Sequence, residues 1–264
     1  MINKVSNNTN FGSKPLHKVN LKSDLTKGFV PVVISEFDPK DAGDFAALKK
    51  ISEEWKGADY IKNILISFNR SAKYYQTEGN IPDKYKYYAV EIPNNEPLHK
   101  KTLGLISIFS NPSNSLEIDH LQVKPDLKHQ KDKTRKIKGI GEMLVGKVFE
   151  VANTNRSKIS EIGLIPSTGA QDFYEKMFQK ADIQNKGQWE EFVIDSSDFP
   201  KFLKHIKNKY QTKFKAIKKQ PLLFERFSCL IQQLSSPLQP FQELMKVCLC
   251  KTPHQPHLHL PQKP

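Results

Sequence analysis

Two glycines and a tyrosine are the residues of this chain whose types and spacing best match a binding or catalytic site. Gly139 and Gly141 stand in the stretch KIKGIGEMLV, directly before apolar residues at helical spacing. The start of a helix has unpaired backbone N–H groups and a partial positive charge, and together they bind anions. Tyr174 follows one strand later, and its phenol is protonated at neutral pH. These residues indicate an enzyme that holds a phosphate-bearing cofactor and does acid–base chemistry beside it.

Two acids precede the glycines on a strand-like stretch, SLEIDHLQV. The period of two in a strand puts Glu117 and Asp119 on one face, continued by Leu121 and Val123, with His120 on the other face. A base that takes a proton from an amine speeds its reaction roughly 10²–10⁴-fold. Either acid is a candidate base, and the alternative is that both are merely solvated.

These residues sit in a regular order of elements: strand, glycine turn, helix, strand, helix. Apolar runs and turn residues predict strands at 29–37, 84–92, 103–109, 116–123, 159–165 and 189–194. Helical spacing predicts helices after Asp38 and at 60–75, 139–153, 168–179 and 199–210. No internal repeat is evident.

The loop from 124 to 138 is strongly basic, with seven Lys and Arg residues against two Asp residues. A basic rim beside the glycine turn would speed the capture of a phosphate-bearing molecule. The alternatives are that the loop is a solvated insert, or that it binds the phosphates of RNA or DNA. All three interpretations stay open from the sequence.

Two motifs resemble those of the GNAT family, the Gcn5-related N-acetyltransferases. Val123-Lys124-Pro125 matches the V-x-P that ends the family's cofactor strand, and KIKGIG at 136–141 matches its Q/R-x-x-G-x-G/A. Ala170 and the triplet Tyr174-Glu175-Lys176 match its second motif, A-x-x-x-Y-E-K. The resemblance covers about 29–194. The chain departs from the family in its long insert before Gly139, in Lys136 for Gln or Arg, in Ser167 for Asn and in Phe178-Gln179 for Gly-Phe.

The resemblance implies an α+β fold with a mixed, mostly antiparallel central sheet and helices on both faces. The sheet would be splayed between the fourth and fifth predicted strands, 116–123 and 159–165. The implied activity is transfer of an acetyl group from acetyl-CoA, as co-substrate, directly to an amine of a small molecule or protein. The alternative is a catalytically degenerate GNAT-fold protein that binds nucleic acid or another polyanion.

The resemblance also implies roles for single residues. Backbone groups of Leu121, Gln122 and Val123 would pair with the pantetheine arm. Glu117 matches the place of the family's base, with Asp119 as the second candidate, and Tyr174 would return a proton to the departing thiolate. The pyrophosphate would be held by Arg135, Lys136, Ile137, Lys138, Gly139, Ile140 and Gly141.

The composition limits which partners, which compartment and which relation to a membrane we expect. The chain has 264 residues and a formal net charge of +13, which favours anionic partners. Its three cysteines stand near the C-terminus, so a disulfide framework is not expected, and a reducing compartment fits. No signal-peptide pattern or membrane span is predicted, so we expect a cytoplasmic protein.

The predicted domain organisation has three parts. We expect a mobile arm at 1–26, a GNAT-like domain at 27–197, and a Lys- and Pro-rich C-terminal extension at 198–264 that is partly helical. No metal site is predicted, because the spacing of Cys248, Cys250, His254, His257 and His259 matches no zinc pattern. The acceptor, the acyl-chain preference and the oligomeric state have no signal in the sequence.

Overall fold

The computed structural model describes residues 13–24, 27–78, 85–127, 137–188 and 190–210. The strands in these ranges are β1 (Lys14–Ser23), β2 (Gly28–Phe37), β3 (Tyr85–Glu91), β4 (Thr102–Ser110), β5 (Ser115–Val123), β6 (Glu161–Leu164) and β7 (Phe192–Asp195). The helices are α1 (Ala42–Glu54), α2 (Asp59–Glu78), α3 (Leu98–Lys101), α4 (Ile140–Thr154), α5 (Gln171–Lys180) and α6 (Phe199–Tyr210).

The seven strands form one sheet in chain order, from β1 to β7. All neighbouring strands are antiparallel except β5 and β6, which run parallel. A parallel pair requires a crossover connection, and α4 lies in the connection between these two strands. The predicted fold class, a mixed and mostly antiparallel sheet with helices on both faces, is confirmed.

The parallel pair is joined only at one end. Residues 115–117 of β5 pair with 161–163 of β6, whereas β5 continues to Val123 and β6 ends at Leu164. From Ile118 onward, β5 has no strand partner on its β6 side among the described residues. The predicted splay between these two strands is therefore confirmed.

The first strand was not predicted. β1 lies within the segment 1–26 that was expected to be a mobile arm, and for residues 14–23 that expectation was wrong. β1 pairs antiparallel with β2. Its alternate side chains His17, Val19, Leu21 and Ser23 are buried. This period of two is visible in HKVNLKS, but the intervening lysines give the segment the composition of a solvated tail.

Helices cover both faces of the sheet. On one, which we call the α2 face, α1 and α2 pack on side chains that include Tyr87, Ala89 and Leu105. On the other, the α4 face, α4, α5 and α6 pack on side chains that include Ile106 and Ile118. The two apolar clusters hold the sheet between two helical layers, which is how such a sheet buries both of its faces.

The helix predicted at 199–210 is present as α6, and it packs into the main core. Phe199, Phe202 and Ile206 are fully buried, and the Phe202 ring lies 4.1 Å from the ring of Phe149 in α4. Gly146 of α4 makes room for Ile206, since an added Cβ would lie 3.4 Å from that side chain. The structured region therefore continues through α6, beyond the predicted domain end at 197.

Candidate functional site

A cavity of about 830 Å³ opens where β5 leaves β6. Its walls are residues 118–123 of β5, 137–142 at the start of α4, 164–167 after β6, Gly169, Ala170, Phe173, Tyr174, Lys209 and Tyr210, with Lys22, Phe29, Tyr60 and Leu127 at its margin. We call the part formed by 137–142 and the end of α6 the glycine-turn side. The part formed by Tyr60, Asp119 and His120 is called the bulge side.

The glycine turn begins α4 as predicted. Gly139 is the N-cap residue and has a φ of +91°, a left-handed conformation that favours glycine. A Cβ on Gly139 would also overlap the hydroxyl of Tyr210. A Cβ on Gly141 would lie 3.2 Å from the Phe173 ring. The two glycines thus leave room for side chains of α6 and α5, a reason that the sequence did not reveal.

The residues before the turn are held by β1. Ile137 forms a single bridge with Ser23, and the Lys138 N–H donates to the Lys22 carbonyl at 2.9 Å. The Lys138 ammonium lies 2.9 Å from a carboxylate oxygen of Asp24. Of the seven predicted phosphate-binding residues, 137–141 line the cavity, whereas Arg135 and Lys136 lie outside the described residues, as does most of the basic loop.

Glu142, in the first turn of α4, connects this side to α6. Its Oε1 lies 3.2 Å from His205 Nε2. Its Oε2 accepts a hydrogen bond of 2.6 Å from the Tyr210 hydroxyl and another from the Lys209 ammonium. Burial acts to raise the pKa of Glu142, but the hydrogen bonds from Lys209 and Tyr210 hold it below its usual value. The carboxylate is therefore ionised and neutralised by α6.

The bulge side is named after a β-bulge at Asp119. Ser107 and Ile108 are consecutive in β4, but their partners in β5 are His120 and Ile118. Asp119 is therefore an extra residue in β5, placed between two paired positions. Such a residue interrupts the alternation of side chains along a strand.

The bulge changes which side chains share a face. Directly paired residues point to the same face, so His120 lies on the α2 face together with Asp119, while Leu121 and Val123 lie on the α4 face. The prediction that His120 points away from Asp119 was wrong. So was the prediction that Leu121 and Val123 continue the face of the acids, because the extra residue reverses the alternation after position 119.

Polar contacts join the residues of the bulge side. Asp119 Oδ2 accepts a hydrogen bond of 3.2 Å from the Ser107 hydroxyl. His120 Nδ1 lies 2.9 Å from the same oxygen, close enough for an ion pair but without the alignment of a hydrogen bond. His120 Nε2 lies 3.1 Å from Asn63 Nδ2, and the Tyr60 ring packs 5.6 Å from the imidazole. Asp119 and His120 are both partly accessible from the cavity.

Glu117 does not line the cavity, although it was the first candidate for the base. It belongs to the paired end of β5, opposite Gly163 of β6. Its carboxylate accepts a hydrogen bond from the Ser115 hydroxyl. It occupies the place where a Cβ on Gly163 would be. Of the two predicted acids, only Asp119 reaches the cavity.

Tyr174 lines the cavity from α5. Its side chain is buried beside the rings of Phe173, at 4.9 Å, and Phe192, at 6.0 Å. Burial raises the pKa of Tyr174 above its usual value, and the nearby Tyr60 phenol adds to this shift. The phenol is therefore protonated at physiological pH.

Leu121, Gln122 and Val123 form the wall between the two sides, along the edge of β5 that has no described partner strand. The Gln122 side chain is buried and donates a hydrogen bond of 2.7 Å to the Val123 carbonyl. This contact ties the side chain to the strand and leaves the edge of β5 facing the cavity.

The lining residues that the sequence did not predict include Tyr60, His120, Glu142, Lys209 and Tyr210. The signal for the last two was present. Phe199, Phe202, Ile206 and Tyr210 recur at helical spacing, which predicts a packed helix that carries Lys209 with it. The place of His120 had no signal, because the bulge depends on the pairing of β5 with β4.

Two further properties concern the described residues only. Within them, no three His, Cys, Asp or Glu side chains are grouped so as to hold a metal ion. The cysteines and histidines considered in the tail lie outside the described ranges. No helix in those ranges has both the length and the apolar composition to cross a membrane.

Neither a family model nor a curated protein matches the chain. Similar solved structures include AtaT complexed with acetyl-methionyl-tRNAfMet, at 11% identity and a TM-score of 0.43, covering 64% of this chain and 97% of that chain. Mutant forms of the spermidine/spermine N-acetyltransferase SpeG from Vibrio cholerae are 14% identical, with a TM-score of 0.42 over 64% of this chain and 96% of theirs. Apo FdhC, a nucleotide-linked sugar GNAT, is 11% identical, with a TM-score of 0.42 over 74% and 96%.

At these identities the likeness concerns the fold alone. The fold is GNAT-like on its own evidence: the strand order, the single parallel pair, the splay of that pair and the glycine turn that opens the crossover helix. The resemblance predicted from the motifs is thus confirmed at the level of the fold.

Proposed function

We propose that the protein is an N-acyltransferase that moves an acetyl group from acetyl-CoA directly to an amine of a small molecule or protein. The observation that carries the proposal is the cavity between β5 and β6. It brings the start of a helix, an unpaired strand edge, a buried phenol and a partly exposed carboxylate to one space.

The glycine-turn side fits a pyrophosphate. The first N–H groups of α4 follow Gly139 and border the cavity, where the helix dipole favours negative charge. The side chains of Lys22, Lys138 and Lys209 stand around the same opening. Backbone donors and surrounding cations are what a diphosphate requires.

The edge of β5 fits the pantetheine arm. From Ile118 onward its backbone N–H and C=O groups have no strand partner on the β6 side among the described residues. An extended chain with amide groups can add to such an edge as a further strand would. Leu121, Gln122 and Val123 are the residues proposed to pair with it.

The proposed catalytic groups come from two elements that line the cavity, β5 and α5. In the proposed reaction the acceptor nitrogen attacks the thioester carbon, a C–N bond forms and the C–S bond breaks. Asp119, with His120 beside it, takes the proton that the nitrogen loses. Tyr174, kept protonated by burial, gives its proton to the departing sulfur. Glu117 has no part in this proposal because it does not reach the cavity.

The bulge side is proposed as the place of the acceptor. Asp119 supplies negative charge that attracts a cationic amine, and the half-exposed ring of Tyr60 offers an apolar surface. The formal charge of +13 acts against a polycationic acceptor, so we favour an amine with a single positive charge.

Calorimetry with CoA and acetyl-CoA tests the first half of the proposal. We expect both to bind, and we expect acetyl-CoA to be consumed when an amine and peptide panel includes an acceptor. Absence of CoA binding at millimolar concentration would disprove the proposed function. The nucleic-acid alternative predicts instead that RNA or DNA binds, with an affinity that falls steeply as salt is raised.

A further inference from the structure

We propose that Lys209 is a ligand of the acyl-CoA phosphates and that Glu142 and Tyr210 position it. This inference rests on the proposed function, because it assigns a part of the cofactor site to α6. No motif marks Lys209 and Tyr210, because α6 lies beyond the stretch of chain that resembles the GNAT family, and Glu142 only follows the glycine motif. The three residues are brought together only by the packing of α6 on α4.

The position of α6 is set by the core. Phe202 stacks 4.1 Å from Phe149, and Phe199 meets the same ring edge-on at 5.7 Å. Ile206, one turn before Tyr210, is fully buried over Gly146. Because the helix is held by its apolar side, its last turn reaches the cavity at a defined place.

Glu142 then holds the end of that turn. Its two oxygens accept from Lys209 and Tyr210 and lie near His205, and the carboxylate itself is buried. A buried carboxylate with fixed partners orients them more closely than an exposed ion pair would. The Lys209 side chain, 39% exposed, keeps one side open to the cavity.

The charges explain why such an arrangement suits a phosphate site. Glu142 alone would repel a phosphate at the start of α4. Because Glu142 is bound to Lys209 and lies close to His205, this repulsion is cancelled. The remaining hydrogens of the Lys209 ammonium can point to the cavity. Lys22 and Lys138 reach the same opening from the β1 side, where Lys138 is paired with Asp24, whereas Lys209 reaches it from α6 and is held there by the buried Glu142.

Tyr210 restricts the same opening. Its hydroxyl lies where a Cβ of residue 139 would be, so it covers the N-cap position of α4. Its hydrogen bond to Glu142 measures 2.6 Å. With both contacts in place, Tyr210 forms a wall beside the first N–H groups of α4 and keeps Lys209 turned toward them.

The test compares Lys209→Met with Lys207→Met in the full-length chain. Both variants keep an aliphatic stem and lose one charge from α6, but Lys207 is exposed and does not line the cavity. We expect Lys209→Met to weaken CoA binding about tenfold, the size of one charge-assisted hydrogen bond. Binding of S-acetylpantetheine, which has no phosphate groups and no adenosine, should be unchanged. Lys207→Met should bind CoA as the unmodified chain does.

A second variant separates a phosphate ligand from a mere partner of Glu142. If Lys209 serves only to neutralise that carboxylate, Lys209→Met should have no effect in a Glu142→Gln background. We expect the loss of CoA affinity to persist in that background. We expect Lys209→Arg to retain most of the CoA affinity of the unmodified chain.

Equal CoA affinity of Lys209→Met and the unmodified chain would overturn the inference and leave the proposed function intact. Equal weakening of CoA and S-acetylpantetheine would also overturn it. If the unmodified chain binds no CoA, the proposed function itself fails.

Discussion

The two sides of the cavity are built in different ways. On the glycine-turn side, ion pairs and hydrogen bonds tie charged groups of different elements together: the buried Glu142 with Lys209 and Tyr210, and Lys138 with Asp24. On the bulge side, Asp119 and His120 are neighbours in β5, and one side-chain hydrogen bond joins each of them to another element, Asp119 to Ser107 of β4 and His120 to Asn63 of α2. Ion pairs thus link separate elements on the first side, whereas the second side relies on single hydrogen bonds between elements.

The difference fits the two parts of the proposed reaction. A cofactor is the same in every turnover, and a rigid site for it lowers the entropy lost on binding. An acceptor site is better served by a few groups that can adjust to their ligand. Variants on the two sides should therefore separate cofactor binding from turnover.

Tyr174→Phe should have the largest effect. It removes only the hydroxyl, so the thiolate would leave without a proton donor and turnover should fall by roughly 10²-fold or more. CoA affinity, measured by calorimetry, should stay the same. Tyr85→Phe, on an exposed tyrosine away from the cavity, is the matched control. Unchanged turnover in Tyr174→Phe would remove this residue from the mechanism.

Asp119→Asn should come next. Loss of the proposed base should lower kcat/KM for the acceptor by about 10²-fold, with part of the loss recovered at higher pH where more of the amine is neutral. Glu117→Gln is the matched control, because it makes a similar change two residues away and outside the cavity. If Glu117→Gln has the larger effect, the assignment of the base is reversed.

Gly139→Ala should destabilise the protein and weaken CoA binding together. A left-handed backbone strains alanine by about 1 kcal/mol, and the added Cβ would displace Tyr210. Gly57→Ala provides the comparison, since Gly57 also has a positive φ, of +75°, but no atom within 4 Å of an added Cβ. Gly139→Ala should lower the free energy of unfolding by more than Gly57→Ala does, and the difference measures the overlap of the added Cβ with Tyr210. Equal losses in the two variants would mean that Tyr210 moves away without cost.

Glu142→Gln should have the smallest effect, one that depends on pH. The pKa of Glu142 is lowered in the folded state, so the stability that the carboxylate contributes is present above its unfolded pKa and lost as pH falls through the folded pKa. We expect the variant to be less stable than the unmodified chain at pH 7, by about 1 kcal/mol. Thermal unfolding should show this difference shrinking on acidification toward pH 4. Glu53→Gln, on an exposed residue, should show no such trend.

Much of the fold could be predicted from the sequence, because most of its elements have strong periodicity. The strands from β2 to β7 and the helices α2, α4, α5 and α6 fall where the apolar pattern placed them. β1 was missed because lysines alternate with its buried side chains. The core position of α6 was missed because its partner, Phe149, lies fifty residues away along the chain.

The candidate site divides in the same way. Gly139 and Tyr174 were predicted because short stretches of sequence define their surroundings. Gly139 stands at the start of a helix, and Tyr174 lies within a short helix. His120 was placed wrongly because the register of β5 against β4 decides where it points, and Glu117 lies outside the cavity because it belongs to the part of β5 that pairs with β6. A single sequence has no local signal for either pairing. Lys209 and Tyr210 lie on a helix that its apolar spacing predicts, but the place where this helix packs, and hence their reach into the cavity, depends on tertiary contacts.

The bulge at Asp119 has a consequence for how this strand tolerates change in length. On either side of Asp119, the side chains of β5 alternate regularly, but odd-numbered residues point to the α2 face before it and to the α4 face after it. Deleting that position would restore a regular ladder and leave residues 120 to 123 with the partners and faces that they have now, because Ile118 and His120 already pair with the consecutive residues Ile108 and Ser107. A β5 shortened by this one residue would thus lose the Asp119 carboxylate but keep its cavity wall, whereas a deletion elsewhere in the strand would turn the residues that follow it to the opposite face.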